Sequence, residues 1–361
     1  MTTASRRPEV ATGQGVGPAG TASYYPPAGG IPREAVFVAN DRQSILTDGI
    51  DFSTEVGLEL GPLNNPVVRR SVGKVIYVDY ADTETLRQRY ASDPHVDSGD
   101  IVDVDATWGG NTLQDAVGVN AKVDYIVASH VIEHVPDLIA WLDELVEVLN
   151  DRGKIRLAIP DRRYSFDYLR GDTRLADVIC AHMVRARVPQ PHQVLDFTLN
   201  KTQIDSMAAW QGRIDEARLG RDFTFEGCMH LANDVVMNGT YHDVHCWVFT
   251  PRSFARLMRE LASHDLTRLG CDAFTGTAYG EFEFFVRATP VSDREERVES
   301  WRRMEGEAVQ HGEEQWTMMS AMLEDARQEK AFLASRIAEY EGSRSWRITA
   351  PLRALFRAVR G

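Results

Sequence analysis

The chain has 361 residues, 43% of them apolar, and its 40 Lys and Arg against 53 Asp and Glu leave a net charge of −13. That apolar share, with 7 Trp, 11 Tyr and 14 Phe, excludes wholesale disorder, and no apolar run reaches the ~18 residues needed to cross a bilayer. A body this acidic repels a polyphosphate backbone, which excludes nucleic acid as a partner; with no apolar signal core behind a basic start, a cytoplasmic protein is expected.

Residues 1–34 are rich in Pro, Gly, Ala, Ser and Thr without any apolar period, and read as a flexible leader. From 35 to 290, short β-branched runs alternate with helix-period segments, the pattern of a parallel sheet with crossover helices. Strands are expected at Val56–Leu60, 75–78, 100–102, 125–129 and 155–159. Asp82 is a good N-cap for a helix reaching Tyr90, and another helix spans 138–149, with Leu138, Trp141, Leu142, Leu145 and Leu149 on one face. Residues 165–245 break the rhythm and read as an insertion that caps a substrate. Thr250 before Pro251 then starts a helix, and 281–288 reads as the last strand.

From 293 to 341 the chain is charged and helical. Trp316, Met319, Leu323, Ala326, Leu333, Ile337 and Tyr340 recur at three- and four-residue steps, as in a short coiled coil that would give a homodimer, although Lys330 interrupts the seam. Residues 342–361 interleave Arg with Trp346, Ile348, Leu352, Leu355, Phe356 and Val359, the composition of a helix lying on a membrane surface. Glu341 and five Arg give this end a charge of +4, leaving −17 for residues 1–340.

The chemistry concentrates at strand ends. The run VGLELGP (56–62) is a strand ending in an acid and a Gly, which brings backbone close to a ligand at the carboxyl edge of a sheet. Eighteen residues after Gly61, VIYVD ends at Asp79, a carboxylate able to accept hydrogen bonds from both hydroxyls of a ribose. A nucleoside cofactor follows. The loop GPLNNP lacks the second and third glycines of GxGxxG, which disfavours a dinucleotide pyrophosphate. S-adenosylmethionine has no phosphate, and its sulfonium suits the acid at Glu59.

At VDYIVASHVIEHVPD (123–137), GKIRLAIP (153–160), PDRRYSFD (160–167) and HCWVFTPRSF (245–254) the sequence resembles the class I S-adenosylmethionine-dependent methyltransferases. The resemblance covers roughly residues 50–290. It implies an α/β, Rossmann-like sheet, here with a cap insertion (165–245 within a 35–290 domain) and a C-terminal helical extension. It further implies that Glu59, Gly61 and Pro62 line the methionine end of the cofactor and that Asp79 holds the ribose. Asp105, with Ala106 beside it, matches the adenine contact, with Asp103 as its rival; Ser129 and His130 lie beside the transferred methyl. Only about a dozen residues separate Gly61 from the second strand, so the first crossover helix is short or absent.

An alcohol acceptor benefits from a base near neutrality, for which His134 is the leading candidate, with His130 beside the methyl and His242 and His245 as second choices. Glu133 could orient one of these rings. Cys228, His230, His242, His245 and Cys246 match no common zinc spacing, and Cys180 and Cys271 stand apart, so no metal is expected and the thiols read as reduced. Arg162 and Arg163 could clamp an anionic acceptor, or be surface charges. The ending SRSWRITAPLR (343–353) resembles those of bacterial cell-surface polysaccharide enzymes. The expected activity is thus O-methylation of a sugar or other small molecule, in polysaccharide or secondary-metabolite biosynthesis. A nicotinamide-dependent sugar-modifying enzyme and an inactive scaffold acting through its coiled coil are the alternatives.

Overall fold

The computed structural model describes residues 42–93, 96–351 and 353; the leader expected over 1–34 and residues 352 and 354–361 of the amphipathic tail lie outside them. Seven strands form one sheet in the order β3-β2-β1-β4-β5-β7-β6. They are β1 (Val56–Leu60), β2 (Lys74–Asp79), β3 (Ala106–Thr107), β4 (Val123–Ser129), β5 (Leu149–Pro160), β6 (Leu269–Thr275) and β7 (Glu283–Pro290). The first five are parallel, and β7 runs antiparallel between β5 and β6. Strand order reverses between β1 and β4, so a crevice opens at the carboxyl ends of β1, β2 and β4, where α/β sheets bind ligands.

The helices are α1 (Arg42–Thr47), α2 (Thr83–Tyr90), α3 (Leu113–Val117), α4 (Leu138–Val148), α5 (Leu175–Met183), α6 (Pro191–Asn200), α7 (Ser206–Trp210), α8 (Phe225–Asn238), α9 (Pro251–Ser263), α10 (Arg294–Gly342) and α11 (Arg344–Ile348). Side chains alternate across the sheet. Leu58, Leu60, Ile126, Ala128, Ile155, Leu157 and Ile159 pack in one core with α4, α9 and Trp301 and Met304 of α10. Tyr77, Tyr125, Val127, Ala158 and Phe285 form a second, smaller core with Leu46, Val67 and Val68. Six side chains of α4 are buried, each worth about 1.5–3 kcal/mol of apolar transfer, which fixes that helix behind β4 and β5.

Three expectations need correction. The third strand is not 100–102: Val102 N–H bonds the Leu63 carbonyl, and Ile101 packs with Leu86 and Val96. The sheet instead takes Ala106 and Thr107, opposite Val78 and Asp79. Leu149 turns extended (φ −89°, ψ 144°) and opens β5 rather than closing α4. The last strand begins at Glu283 rather than 281, and just before it the Asp161 N–H donates to the Phe282 carbonyl (2.7 Å). Between β1 and β2 there is no helix, only turns. The segment is pinned by Glu59, whose two carboxylate oxygens accept the N–H groups of Val67 (2.6 Å) and Val68 (2.9 Å).

Residues 165–245 carry α5 to α8. Val194 and Phe197 of α6 meet Ala232 and Val235 of α8 and Val244 in a small core of their own. The run after 293 is one helix of 49 residues, capped by Asp293. Its first turns dock on the domain, with Trp301 Nε1 donating to the Leu269 carbonyl (2.8 Å) and Gln315 to that of Thr277. From Ser320 onward it is exposed. Among the described residues no helix is long and apolar enough to cross a membrane.

Candidate active site

A cleft of roughly 1580 Å³ opens at the carboxyl ends of β1, β2 and β4, lined among others by Glu59, Gly61, Pro62, Asp79, Ser129, His130 and His134. The sequence placed all seven at the site. Gly61 follows β1 with φ +63°, and a Cβ there would come within 3.2 Å of Val131, so both backbone and space favour a residue without a side chain at this edge of the cleft. Asp79 is 6% exposed, and one carboxylate oxygen accepts the Tyr80 N–H at 2.8 Å. Burial pushes its carboxyl up to about 6. A carboxylate so poor in donors is suited to a vicinal diol, and these residues fit the ribose of a nucleoside. Glu59 does not face a cofactor sulfonium freely, since its oxygens hold the Val67 and Val68 amides; burial raises it to about 7 against those two bonds.

Asp105 and Ala106 are not among the cleft-lining residues. Asp105 lies one residue before β3, where its carboxylate accepts the Tyr77 N–H (2.8 Å) and pairs with Arg70 (2.6 Å). Asp103 is turned to Arg87. The residue at the end of β3 that reaches the cleft is Trp108, whose N–H bonds the Asp79 carbonyl and whose Nε1 donates to Glu144 (2.8 Å). An aromatic side chain there offers a purine a stacking face. The sequence reading missed it because the strand was placed too early.

On the acceptor side, His130 sits at φ +55°, an uncommon conformation for a residue with a side chain. Its Nε2 meets Glu283 (2.8 Å) and its Nδ1 faces Glu133 (3.4 Å). Ser129 is held by Arg42. His134 Nδ1 pairs with Asp243 (2.9 Å), and its ring lies edge-on to His245 with centroids 4.7 Å apart. His245 Nδ1 pairs with Asp167 (2.5 Å), which Arg170 also contacts (2.8 Å). Burial opposes a charge on His130 and His134, but Glu133 and Glu283 around the first, and Asp243 and Glu133 around the second, outweigh it and raise each to about 9. Both rings hold their proton at neutral pH, so neither expected base is poised to take another. Burial would raise Asp167, yet His245 and Arg170 hold it well below the usual carboxylate range.

His242 pairs with Asp234, and Arg162 and Arg163 pair with Asp172 and Asp161; none of the three lines the cleft. Of Cys228, His230, His242, His245 and Cys246, only His245 lines the cleft, so that grouping is not gathered at the site. Asp167 and Asp243 went unnoticed in the sequence because their partners lie 78 and 109 positions away in the chain.

The family model described as a methyltransferase domain matches residues 47–261. Among solved structures, the CcbJ methyltransferase from Streptomyces caelestis is 10% identical, the match covering 69% of this chain and 94% of that one with a TM-score of 0.32. An S-adenosylmethionine-dependent methyltransferase from Clostridium acetobutylicum is 9% identical over 69% and 95%, TM-score 0.33. LaPhzM is 15% identical over 69% of this chain, TM-score 0.30, and there the chain spans only 54% of its relative's length. No curated protein sequence matches. With its sheet order, its cleft and a family match over more than half its length, the chain belongs to the methyltransferase-domain family and is a class I S-adenosylmethionine-dependent methyltransferase.

Proposed function

We propose that the protein O-methylates a small hydroxylated acceptor, a sugar or a comparable small molecule, held beneath residues 165–245. The observation that carries this reading is the meeting of Glu133, His134 and His245 inside the same cleft as Gly61 and Asp79. S-adenosylmethionine supplies a methyl on a sulfonium that needs no further activation. What the chain must do is hold an acceptor oxygen about 3–3.5 Å from that carbon, in line, and ease the loss of its proton. Asp79 and Gly61 fix the nucleoside end, Ser129 and His130 close the floor at the end of β4, and the polar group on Glu133, His134 and His245 receives the acceptor oxygen.

Cap residues give the acceptor its surface. Tyr164, stacked on Trp210 (3.8 Å, 6°), Phe166 and Phe197 line the cleft and suit the apolar face of a sugar ring. Arg185 and Arg187 on the same wall suit an anionic substituent, the part first assigned to Arg162 and Arg163. The absence of a helix between β1 and β2, in a segment wholly described, leaves no helix N-terminus for a pyrophosphate, which speaks against a nicotinamide cofactor. Exposed Trp316, Leu323, Leu333, Ile337 and Tyr340 on α10 support a homodimer through this helix. The basic ending supports attachment to a membrane surface and, by its resemblance, work in polysaccharide biosynthesis within the cytoplasm.

The test is release of S-adenosylhomocysteine from S-adenosylmethionine by the purified protein over a panel of hydroxylated acceptors, with mass spectrometry of the products. A product heavier by one methylene with the methyl on oxygen is expected. A methyl on nitrogen or carbon, or cofactor turnover with no dependence on any hydroxylated acceptor, overturns the reading.

A further inference from the structure

We propose that Glu133, His134 and His245 bind one divalent transition-metal ion at the acceptor end of the cleft. This rests on the methyltransferase reading of the site and goes past it, because nothing in methyl transfer from a sulfonium requires a metal.

Three observations converge. One ligand atom from each of the three side chains lies within 4.8 Å of the other two. Bonds of 2.0–2.2 Å need ligand atoms about 3–3.5 Å apart, so side-chain rotation of little more than an ångström closes the set. Next, both imidazoles have the second shell of metal-bound histidines: His134 Nδ1 is paired with Asp243 and His245 Nδ1 with Asp167, which fixes each ring and leaves Nε2 for a ligand. Finally, Glu133 is 0% exposed and aimed into the cleft, yet neither carboxylate oxygen closes a hydrogen bond with good geometry among the described residues. With His130 Nδ1 at 3.4 Å and His134 Nε2 at 4.0 Å as its neighbours, the carboxylate keeps lone pairs free to ligate an ion.

Two imidazoles and one carboxylate select zinc, iron or manganese over magnesium, and leave open positions on the ion. Those positions face the acceptor wall, so the ion rather than an imidazole base would meet the acceptor oxygen. Glu133, Asp167 and Asp243 supply the negative charge to compensate it.

The experiment uses the full chain, stripped with chelator and titrated with Co²⁺ alone and Zn²⁺ alone, followed by visible absorption and elemental analysis. Expected is one equivalent per chain with d–d bands of a nitrogen and oxygen site. His245→Ala and Glu133→Gln should abolish it, Asp167→Asn should weaken it about 10–100-fold, and His242→Ala, outside the cluster, should leave it intact. Retention of less than stoichiometric metal by the wild type, or equal retention by His245→Ala and Glu133→Gln, overturns the proposal. Should those variants fail to fold, X-ray absorption on the wild-type cobalt form decides: two imidazoles are expected, and any other count refutes the site. Titration with S-adenosylhomocysteine on the same samples separates the two readings, since bound nucleoside without metal sinks only this inference, whereas no nucleoside binding sinks the methyltransferase reading itself.

Discussion

Asp79→Asn should make the protein more stable and the site worse at the same time. The variant keeps the shape of the side chain and the amide oxygen that accepts the Tyr80 N–H (2.8 Å), so the end of β2 stays in place. What it loses is the charge and the second oxygen, to which two ribose hydroxyls would donate. Hydrogen bonds to a charged group are worth about 1.5–3 kcal/mol each; with one partly recovered by the amide, a loss near 3 kcal/mol, or roughly 150-fold in affinity for S-adenosylhomocysteine, is expected. The desolvation of Asp79 is already incurred on folding, as its rise from 3.8 to about 6 shows, so little of this loss is offset by cheaper binding. The same rise means that the charged carboxylate weakens the free fold at pH 8 by up to about 3 kcal/mol, which the neutral amide removes. Calorimetric titration at pH 8 and denaturant unfolding at pH 8 and pH 4 measure both. Unchanged affinity in a folded Asn variant refutes the ribose assignment; a stability gain equal at the two pH values refutes the account of burial.

Glu59 and Asp79 together set a pH dependence for the free protein. Their folded pKa values, about 7 and about 6, lie above the ordinary values of 4.5 and 3.8. The native state therefore binds more protons, and this stability is full below about pH 4 and lost as pH rises through 6 and 7, on the order of 3 kcal/mol per group, with urea unfolding as the measurement. Affinity for S-adenosylhomocysteine moves the opposite way, falling as pH drops below about 6 and Asp79 protonates. Glu59→Ala strands the Val67 and Val68 amides and should cost about 2–4 kcal/mol in the same unfolding assay. Trp108→Ala should weaken S-adenosylhomocysteine binding by about tenfold through lost stacking, while Asp105→Ala leaves it within about twofold; the reverse order in calorimetry would restore Asp105 to the adenine end. Truncation after Gln315 should convert a dimer to a monomer in sedimentation with cofactor affinity unchanged, and a wild type that already sediments as a monomer would refute the coiled coil.

Where local chemistry decides an element, the sequence reads well. Asp82 and Thr250 each cap the helix that follows by accepting a backbone N–H three residues on, and β1 occupies the run whose apolar pattern announced it. The missing crossover helix was legible from chain length alone, but what replaces it was not: Glu59 looked like a ligand-facing acid, and only the fold shows its oxygens committed to the loop it anchors. The third strand failed for a related reason. The run 100–102 has strand composition, yet Ile101 is drawn into a pocket with Leu86 and Val96, and tertiary packing overrode propensity. That displacement carried the adenine assignment with it, because a side chain two or three positions early along a strand points at Tyr77 and Arg70 instead of the cleft.

The acceptor side was only half legible, and the reason is electrostatic. His134 was attractive as a base because an unperturbed imidazole titrates near neutrality. The fold surrounds it with Asp243 and Glu133, and those carboxylates raise it to about 9. Glu133 is its neighbour in the chain, but Asp243 comes from the far end of the cap, 109 positions on, so no spacing announces it. A base and a cation site are alternative uses of the same carboxylate-backed histidines. A base needs one ring neutral and facing a proton donor, whereas a cation displaces the ring proton and is favoured by every added negative charge. Here three carboxylates, Glu133, Asp167 and Asp243, converge on two rings, and the Glu133 oxygens close no hydrogen bond of good geometry although His130 Nδ1 lies 3.4 Å away. Arg170 on Asp167 and His130 beside Glu133 already balance part of that charge, and a divalent ion would take over the part now held by the ring protons it displaces. The charge balance of the cluster, more than the identity of any one histidine, therefore decides between the two.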